Sequence, residues 1–276
     1  MKKIDYVIEL ESVEDVKNIL KYLGEKHNGE LDKLFFRGQK DESWPLIPSV
    51  ERSHKTKEPK IKATNADELF REIAKLQHTG MPTRFLDYTS DLNVALFFAC
   101  EEAKEGGVET NGSMYATWYD YRPENNLDVS SVCWLTQLKK PVKIKDFCKK
   151  HLSAQYDDVQ DYVSCLISFI NNGFIVKPSE EFYKEALSHN PNIFAQRGCF
   201  YIPGNRLDEE ITSIKNFDNV KILPKIELTS YILTNPKYTT KFIIPAAIKK
   251  DILNYLKTEK NIDRETLFFE WYGNRT

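Results

Sequence analysis

The segment QHTGMPTRFLDYTSDLNVALFFA, from Gln77 to Ala99, constrains this chain more than any other. Polar and charged residues (Gln77, His78, Arg84, Asp87, Tyr88, Thr89) stand directly ahead of a run that is apolar almost all round: Leu92, Val94, Ala95, Leu96, Phe97, Phe98 and Ala99. A helix of that kind belongs in the middle of a core. Core-building alone does not need Arg84 and Asp87 at its entrance, so the pattern points to a buried or cleft-lining polar network there. A second cluster, LFFRGQKDESWPLIPSVER from Leu34 to Arg52, sets Arg37 after a short apolar run and before Gly38. These two segments are where a function is sought.

The 276 residues suffice for one large domain or two small ones. No repeat, low-complexity linker or clean boundary divides them, so a single domain over 1–276 is expected. A formal net charge of -2 exerts no global pull toward nucleic acid or anionic membrane. No apolar run approaches the length of a membrane span, and acids within the N-terminal MKKIDYVIELESVEDV argue against a standard secretory signal. Five scattered cysteines without metal-ligand spacing read as reduced thiols. The expectation is a cytoplasmic protein, and the Lys-, Asn- and Ile-rich composition points to an AT-rich microbial genome.

Local patterns predict the elements. Ser12 caps a helix with Glu14 and Asp15 in its first turn and Val13, Val16, Ile19, Leu20 and Leu23 on one face, stopping at Gly24. Leu34–Arg37 is a short strand, and the charged stretch from Arg52 to Lys62 a loop. A helix opens at Asn65 and Asp67 and runs toward Leu76; Gly80 and Pro82 then break the chain. Thr89 or Ser90 caps the apolar helix from Asp91 to about Lys104. Further strands are expected in SMYATWYDY, FIVKP, FAQRGCFYIPG and Tyr238–Ile244, and helices after VKIK, over 159–170, and from Pro245 through Leu256. Without a regular βαβ rhythm, the mixture argues an α+β fold: a mixed, largely antiparallel sheet with packed helices and helical insertions.

The motifs resemble those of the FRG domain, named for its Phe-Arg-Gly signature, here Phe36, Arg37 and Gly38. The family's next element appears as Trp44, Leu46, Pro48 and Ser49, and its central element as Gln77, His78, Gly80, Pro82, Thr83, Arg84, Leu86, Asp87, Thr89, Ala95, Phe97 and Ala99. Weaker correspondences follow at Ala195, Gln196, Gly198 and Phe200, and at Phe268 and Glu270, where Phe269 stands in place of the more usual proline. The resemblance gives no reaction by itself. The order of elements is, however, similar to that of ADP-ribosyltransferases of the Arg-Ser-Glu type: an early-strand arginine (Arg37), a polar turn before an apolar helix (Asp87, Tyr88, Thr89, Ser90) and a late glutamate (Glu270).

That likeness implies an ADP-ribosyltransferase-like fold, NAD as substrate, and a toxin or anti-phage effector as the setting. Transfer of ADP-ribose passes through an oxocarbenium-like ribose, as glycoside hydrolysis does. Nicotinamide leaves neutral, so little acid catalysis is needed. A guanidinium suits the diphosphate (Arg37 or Arg84), and an aromatic wall suits nicotinamide (Tyr88, Phe36 or Tyr115). A carboxylate must stabilise the developing cation, Glu270 first and Asp87 second. Gly38, Gln39, His78 and Thr89 complete the expected NAD-binding set. The acceptor, protein or nucleic acid, and any regulator or antitoxin are left open.

Each residue also has a plainer reading. Arg37 ties strands through Asp87 or Glu270, and Arg84 makes a local ion pair with Asp87. His78 is a hydrogen-bonded core group, Gln77 and Gln196 bond to backbone, Trp44 is core, and Thr89 and Ser90 are caps. The competing function is a non-catalytic module that holds a phosphate-bearing ligand or nucleic acid with Arg37 and Arg84. A nuclease lacks a metal-spaced acidic set, a serine hydrolase lacks its Gly-x-Ser-x-Gly elbow, and no Rossmann glycine motif follows a strand.

Overall fold

The computed structural model describes residues 2–4, 7–52, 58–63, 65–124, 126–152, 173–188, 190–209, 219–226 and 231–269. Its strands are β1 (Lys2–Ile4), β2 (Val7–Glu9), β3 (Leu34–Gln39), β4 (Leu86–Thr89), β5 (Lys104–Glu105), β6 (Val108–Glu109), β7 (Gly112–Trp118), β8 (Tyr121–Arg122), β9 (Val142–Lys143), β10 (Phe174–Val176), β11 (Gly198–Ile202), β12 (Asn205–Leu207), β13 (Lys221–Ile226) and β14 (Thr239–Ile244). Its helices are α1 (Val13–Lys26), α2 (Ser49–Arg52), α3 (Ala66–His78), α4 (Leu92–Cys100), α5 (Leu127–Thr136), α6 (Ile144–Leu152), α7 (Glu180–Ala186), α8 (Pro191–Ala195), α9 (Tyr231–Thr234), α10 (Ala246–Lys260) and α11 (Arg264–Leu267). The helix expected over 159–170 lies outside the described residues.

Nine strands form one sheet in the order β1-β2-β14-β7-β3-β4-β11-β10-β8. Six neighbouring pairs are antiparallel and two, β2–β14 and β8–β10, are parallel, which makes the fold the expected α+β type with a largely antiparallel mixed sheet. The sheet has a weak seam. β3 pairs with β7 along its full length, from Leu34↔Trp118 to Gln39↔Ser113, and β4 pairs with β11 from Leu86↔Tyr201 to Thr89↔Gly198. Between β3 and β4 the only register pair is Phe36↔Thr89.

Each side of the seam has its own core on the same sheet face. Leu34, Phe36, Met114, Ala116, Phe242 and Ile244 pack with α1, α4 and α10. Phe85, Phe174, Val176, Phe200 and Ile202 pack with α3, α5, α6, α7 and α8. The opposite face carries a smaller cluster of Phe35, Leu86, Tyr88, Ile175, Cys199 and Tyr201. Period-two alternation along each strand produces this division.

Several helix boundaries differ from the local signals. α1 is capped by Ser12 as expected, but it runs through Gly24 to Lys26. Gly24 sits inside the last turns, and the chain reverses only at Asn28 and Gly29, both at positive φ. The cap of α4 is Asp91, whose Oδ1 accepts the Asn93 N–H at 2.8 Å, rather than Thr89 or Ser90. The helix ends at Cys100, short of the expected Lys104, and a hairpin of β5 and β6 that turns at Gly106 and Gly107 begins at Lys104. Pro245 is the cap of α10 rather than its first residue. Trp44 is 41 % exposed and lies outside the core, whereas Leu46 packs against the Phe35–Tyr88 cluster. Among the described residues no helix is long and apolar enough to cross a membrane.

Candidate functional site

α4 presses on the sheet beside the seam because glycine lets it. A Cβ on Gly38 would lie 2.0 Å from the Ala95 carbonyl oxygen and 2.7 Å from the Ala99 nitrogen. Gly112, near the start of the adjacent β7, meets Ala99 in the same way at 1.9 Å. Where β3 and β4 separate past the Phe36↔Thr89 pair, a cavity of about 300 Å³ opens. Its lining includes Phe36, Gly38, Asp87, Thr89, Ala95 and Phe98 from this junction, and Asn192, Gln196 and Phe268 from its far wall. The volume lies at the small end of ligand pockets, and apolar walls with few convergent polar groups are what such pockets present.

Arg37 bridges the seam. Strand alternation puts it on the face shared with Phe35 and Gln39, and its Nη1 donates to the Asp87 carbonyl oxygen at 2.5 Å. The expected Arg37–Asp87 contact is thus to backbone. Its Nε is buried with no hydrogen-bond partner. The Asp87 carboxylate is fixed by Gln77, whose Nε2 donates to Oδ2 at 2.7 Å; Oδ1 is buried and unpartnered. Gln77 is oriented in turn by the Thr83 hydroxyl, which donates to its Oε1. Gln77 therefore serves a side chain and not the backbone as expected, whereas Gln196 does donate to a backbone oxygen, that of Leu267, at 3.1 Å. A carboxylate with one oxygen clamped and the other unpartnered has acceptor capacity left for a further donor or cation.

The remaining anticipated residues separate into two groups. Phe36, Arg37, Gly38, Asp87, Tyr88 and Thr89 line the seam cavity. Thr89 donates its hydroxyl to the Gln196 carbonyl at 2.7 Å and accepts the Asp91 N–H, so it ties α8 to the start of α4. The Tyr88 ring belongs to the cluster on the opposite face, its hydroxyl 3.5 Å from that of Thr117, and burial pushes its phenol up to about 12. Gln39 is buried, donates to the Pro45 carbonyl at 3.4 Å, and keeps Oε1 unpartnered. Tyr115 sits opposite Arg37 on β7 with the Lys241 ammonium 5.6 Å above its ring.

Arg84 does not join them. It is 3 % exposed and lines a different cavity with Glu58, Lys60 and Lys139. The partner expected for it was Asp87; its guanidinium instead forks onto Glu58, with Nη2 to Oε2 at 2.7 Å and Nε to Oε1 at 2.9 Å, and its Nη1 donates to Asn205 Oδ1 at 2.6 Å. The same Glu58 also accepts the Arg84 backbone N–H. The His78 side chain and Glu270 lie outside the described residues.

Residue patterns placed Phe98 in the core helix, where it is partly buried and also lines the cavity, and did not single out Asn192 or the positioning role of Gln77. The far wall is held by amides: Asn192 Oδ1 accepts the Phe269 N–H at 2.8 Å and Gln196 grips Leu267, so Phe268 is fixed beside Phe98, ring centroids 5.9 Å apart. Among the described residues no three His, Cys, Asp or Glu side chains assemble as a metal site.

Fold and cavity together define an α+β protein with a small mixed-polarity pocket at a sheet seam. Residues 32–107 match the family model of the FRG domain, a span that covers β3, α3, β4 and α4 and hence most of the near wall of the cavity. No curated protein and no solved structure matches the chain.

Proposed function

We propose that this chain cleaves NAD and transfers ADP-ribose, or releases it to water, in the seam cavity. The observation that carries the reading is the Asp87 carboxylate, clamped at Oδ2 by Gln77 and free at Oδ1, in a cavity walled by Phe36, Phe98 and Phe268. The phenyl walls suit a neutral aromatic leaving group. In the reaction the bond between ribose C1′ and the nicotinamide nitrogen breaks, and its electron pair leaves with nicotinamide. The acceptor oxygen or nitrogen then bonds to C1′ and gives up its proton to a carboxylate or to solvent. Asp87 stabilises the oxocarbenium-like ribose, Arg37 binds the phosphate–ribose side, and Glu270, two residues beyond Phe268, is the second carboxylate. In a microbial cytoplasm this chemistry drains NAD or marks a target, the action of a toxin or anti-phage effector. The binding-module reading is weaker, because the Arg84 it required is neutralised by Glu58.

The test is nicotinamide release and label transfer from adenylate-labelled NAD, with cell extract as acceptor. Wild type should turn over, and Asp87→Asn and Glu270→Gln should each lose about 100-fold or more in kcat. A well-folded wild type without turnover across several extracts would reject catalysis in favour of ligand binding.

A further inference from the structure

We infer that Asn192 and Gln196 form a carboxamide-reading pair on the far wall of the seam cavity, and that the ring held there carries a primary amide, as nicotinamide does. The inference rests on the NAD-cleaving reading above and adds to it the residues that select the leaving group. The two side chains stand one turn apart on α8 and its C-terminal cap. The Gln196 N–H donates to the Asn192 carbonyl at 2.9 Å, the helical bond to the fourth residue back, which brings both side chains to one helix face. Both line the cavity together with Phe268.

Each amide has one end engaged with the backbone at and just beyond the end of α11, and this settles which end is left. Asn192 Oδ1 accepts the Phe269 N–H at 2.8 Å, so the Nδ2 donors remain. Gln196 Nε2 donates to the Leu267 carbonyl at 3.1 Å, so the Oε1 acceptor remains. A backbone N–H can only donate and a carbonyl only accept, so neither amide can be turned the other way round. Among the described residues neither Asn192 Nδ2 nor Gln196 Oε1 has a hydrogen-bond partner. A donor beside an acceptor is the complement of a primary carboxamide, whose oxygen accepts and whose N–H donates. A carboxylate of the same shape would set oxygen against Gln196 Oε1 and would share the cavity with the Asp87 carboxylate, so the pair rejects the corresponding acid. Phe36, Phe98 and Phe268 supply apolar surface for the ring, and a volume of about 300 Å³ suits one ring and its adjoining sugar rather than a whole dinucleotide. The unpartnered Arg37 Nε and Asp87 Oδ1 on the near wall are left for the ribose side.

The experiment titrates nicotinamide, nicotinic acid and adenosine by ligand-observed NMR, alongside kinetics with NAD and its nicotinic acid analogue. It uses wild type, Asn192→Asp and Gln196→Lys, each checked for folding by circular dichroism. Asn192→Asp retains an oxygen for the Phe269 N–H, and Gln196→Lys retains a donor for the Leu267 carbonyl, so the far wall is kept while the reading atoms change. Wild type should bind nicotinamide about tenfold or more tighter than nicotinic acid, and should favour NAD over the acid analogue in kcat/KM by a similar factor. Asn192→Asp should weaken nicotinamide about tenfold, and Gln196→Lys should narrow the gap between amide and acid. The pair is overturned by equal binding of amide and acid to wild type, by unchanged nicotinamide binding in folded Asn192→Asp, or by no nicotinamide binding to wild type. Tighter binding of adenosine than of nicotinamide also overturns it, by assigning these atoms to the other end of the dinucleotide. Amide-selective binding that depends on Asn192, without nicotinamide release from NAD, keeps the pair and rejects cleavage. Nicotinamide release from NAD with equal use of the acid analogue does the reverse.

Discussion

Arg37 and Arg84 both follow the same grammar, a cation beside apolar strand residues, yet they have opposite roles. Arg84 is buried and its donors are matched to Glu58 and Asn205. Removing the charge of Glu58 would leave a buried guanidinium uncompensated, which costs far more than a surface pair is worth. Glu58→Gln is therefore expected to lose about 3 kcal/mol of unfolding free energy in urea melts, with NAD kinetics per folded molecule unchanged. At this scale the sequence grouped Arg37, Asp87 and Thr89, and the structure brings them to one cavity. The separation of Arg84 from them was not legible, since its partners lie 26 and 121 positions away.

Among the elements, α4 and β3 depend on one another. The apolar run from Leu92 predicted a central helix, and Leu92, Val94, Ala95, Leu96, Phe97, Ala99 and Cys100 are indeed buried. What the run did not predict is how close the helix lies. That closeness comes from Gly38, where any side chain meets helix backbone, which cannot move aside as a flexible side chain does. Gly38→Ala should destabilise by about 3 kcal/mol, measured by thermal melts, and should also shift α4 enough to weaken ADP or NAD binding. The caps show the limit of local reading. Ser12 and Asn65 each accept the N–H three residues on, as expected. Before α4 the expected caps were Thr89 or Ser90; Asp91 takes the role instead, and Thr89, the last residue of β4, is engaged with Gln196.

At the scale of the molecule, the seam between β3 and β4 joins two half-sheets, and its single register pair makes room for the cavity. At the start of β3, where Trp118 pairs with Leu34, His27 stacks on Trp118 with ring centroids 5.0 Å apart. Burial, then Lys26, lowers its pKa from 6.5 to about 4, against the opposing pull of Glu30. Below pH 6.5 the unfolded chain takes up a proton that the folded chain refuses until about pH 4, so stability falls as pH drops through that window. Urea midpoints at several pH values should show this fall for wild type and a flatter one for His27→Gln.

By itself the sequence determined the α+β class, the central place of α4, most strands, and the two segments that supply the near wall of the seam cavity. Those features follow from periodicity, caps and breakers acting over a few residues. Only the tertiary structure decided that β3 and β4 part after one pair, that Gln77 clamps Asp87 and that Glu58 silences Arg84. Each of these depends on which distant strand or loop supplies the partner, and that is settled by how the sheet and its helices close together.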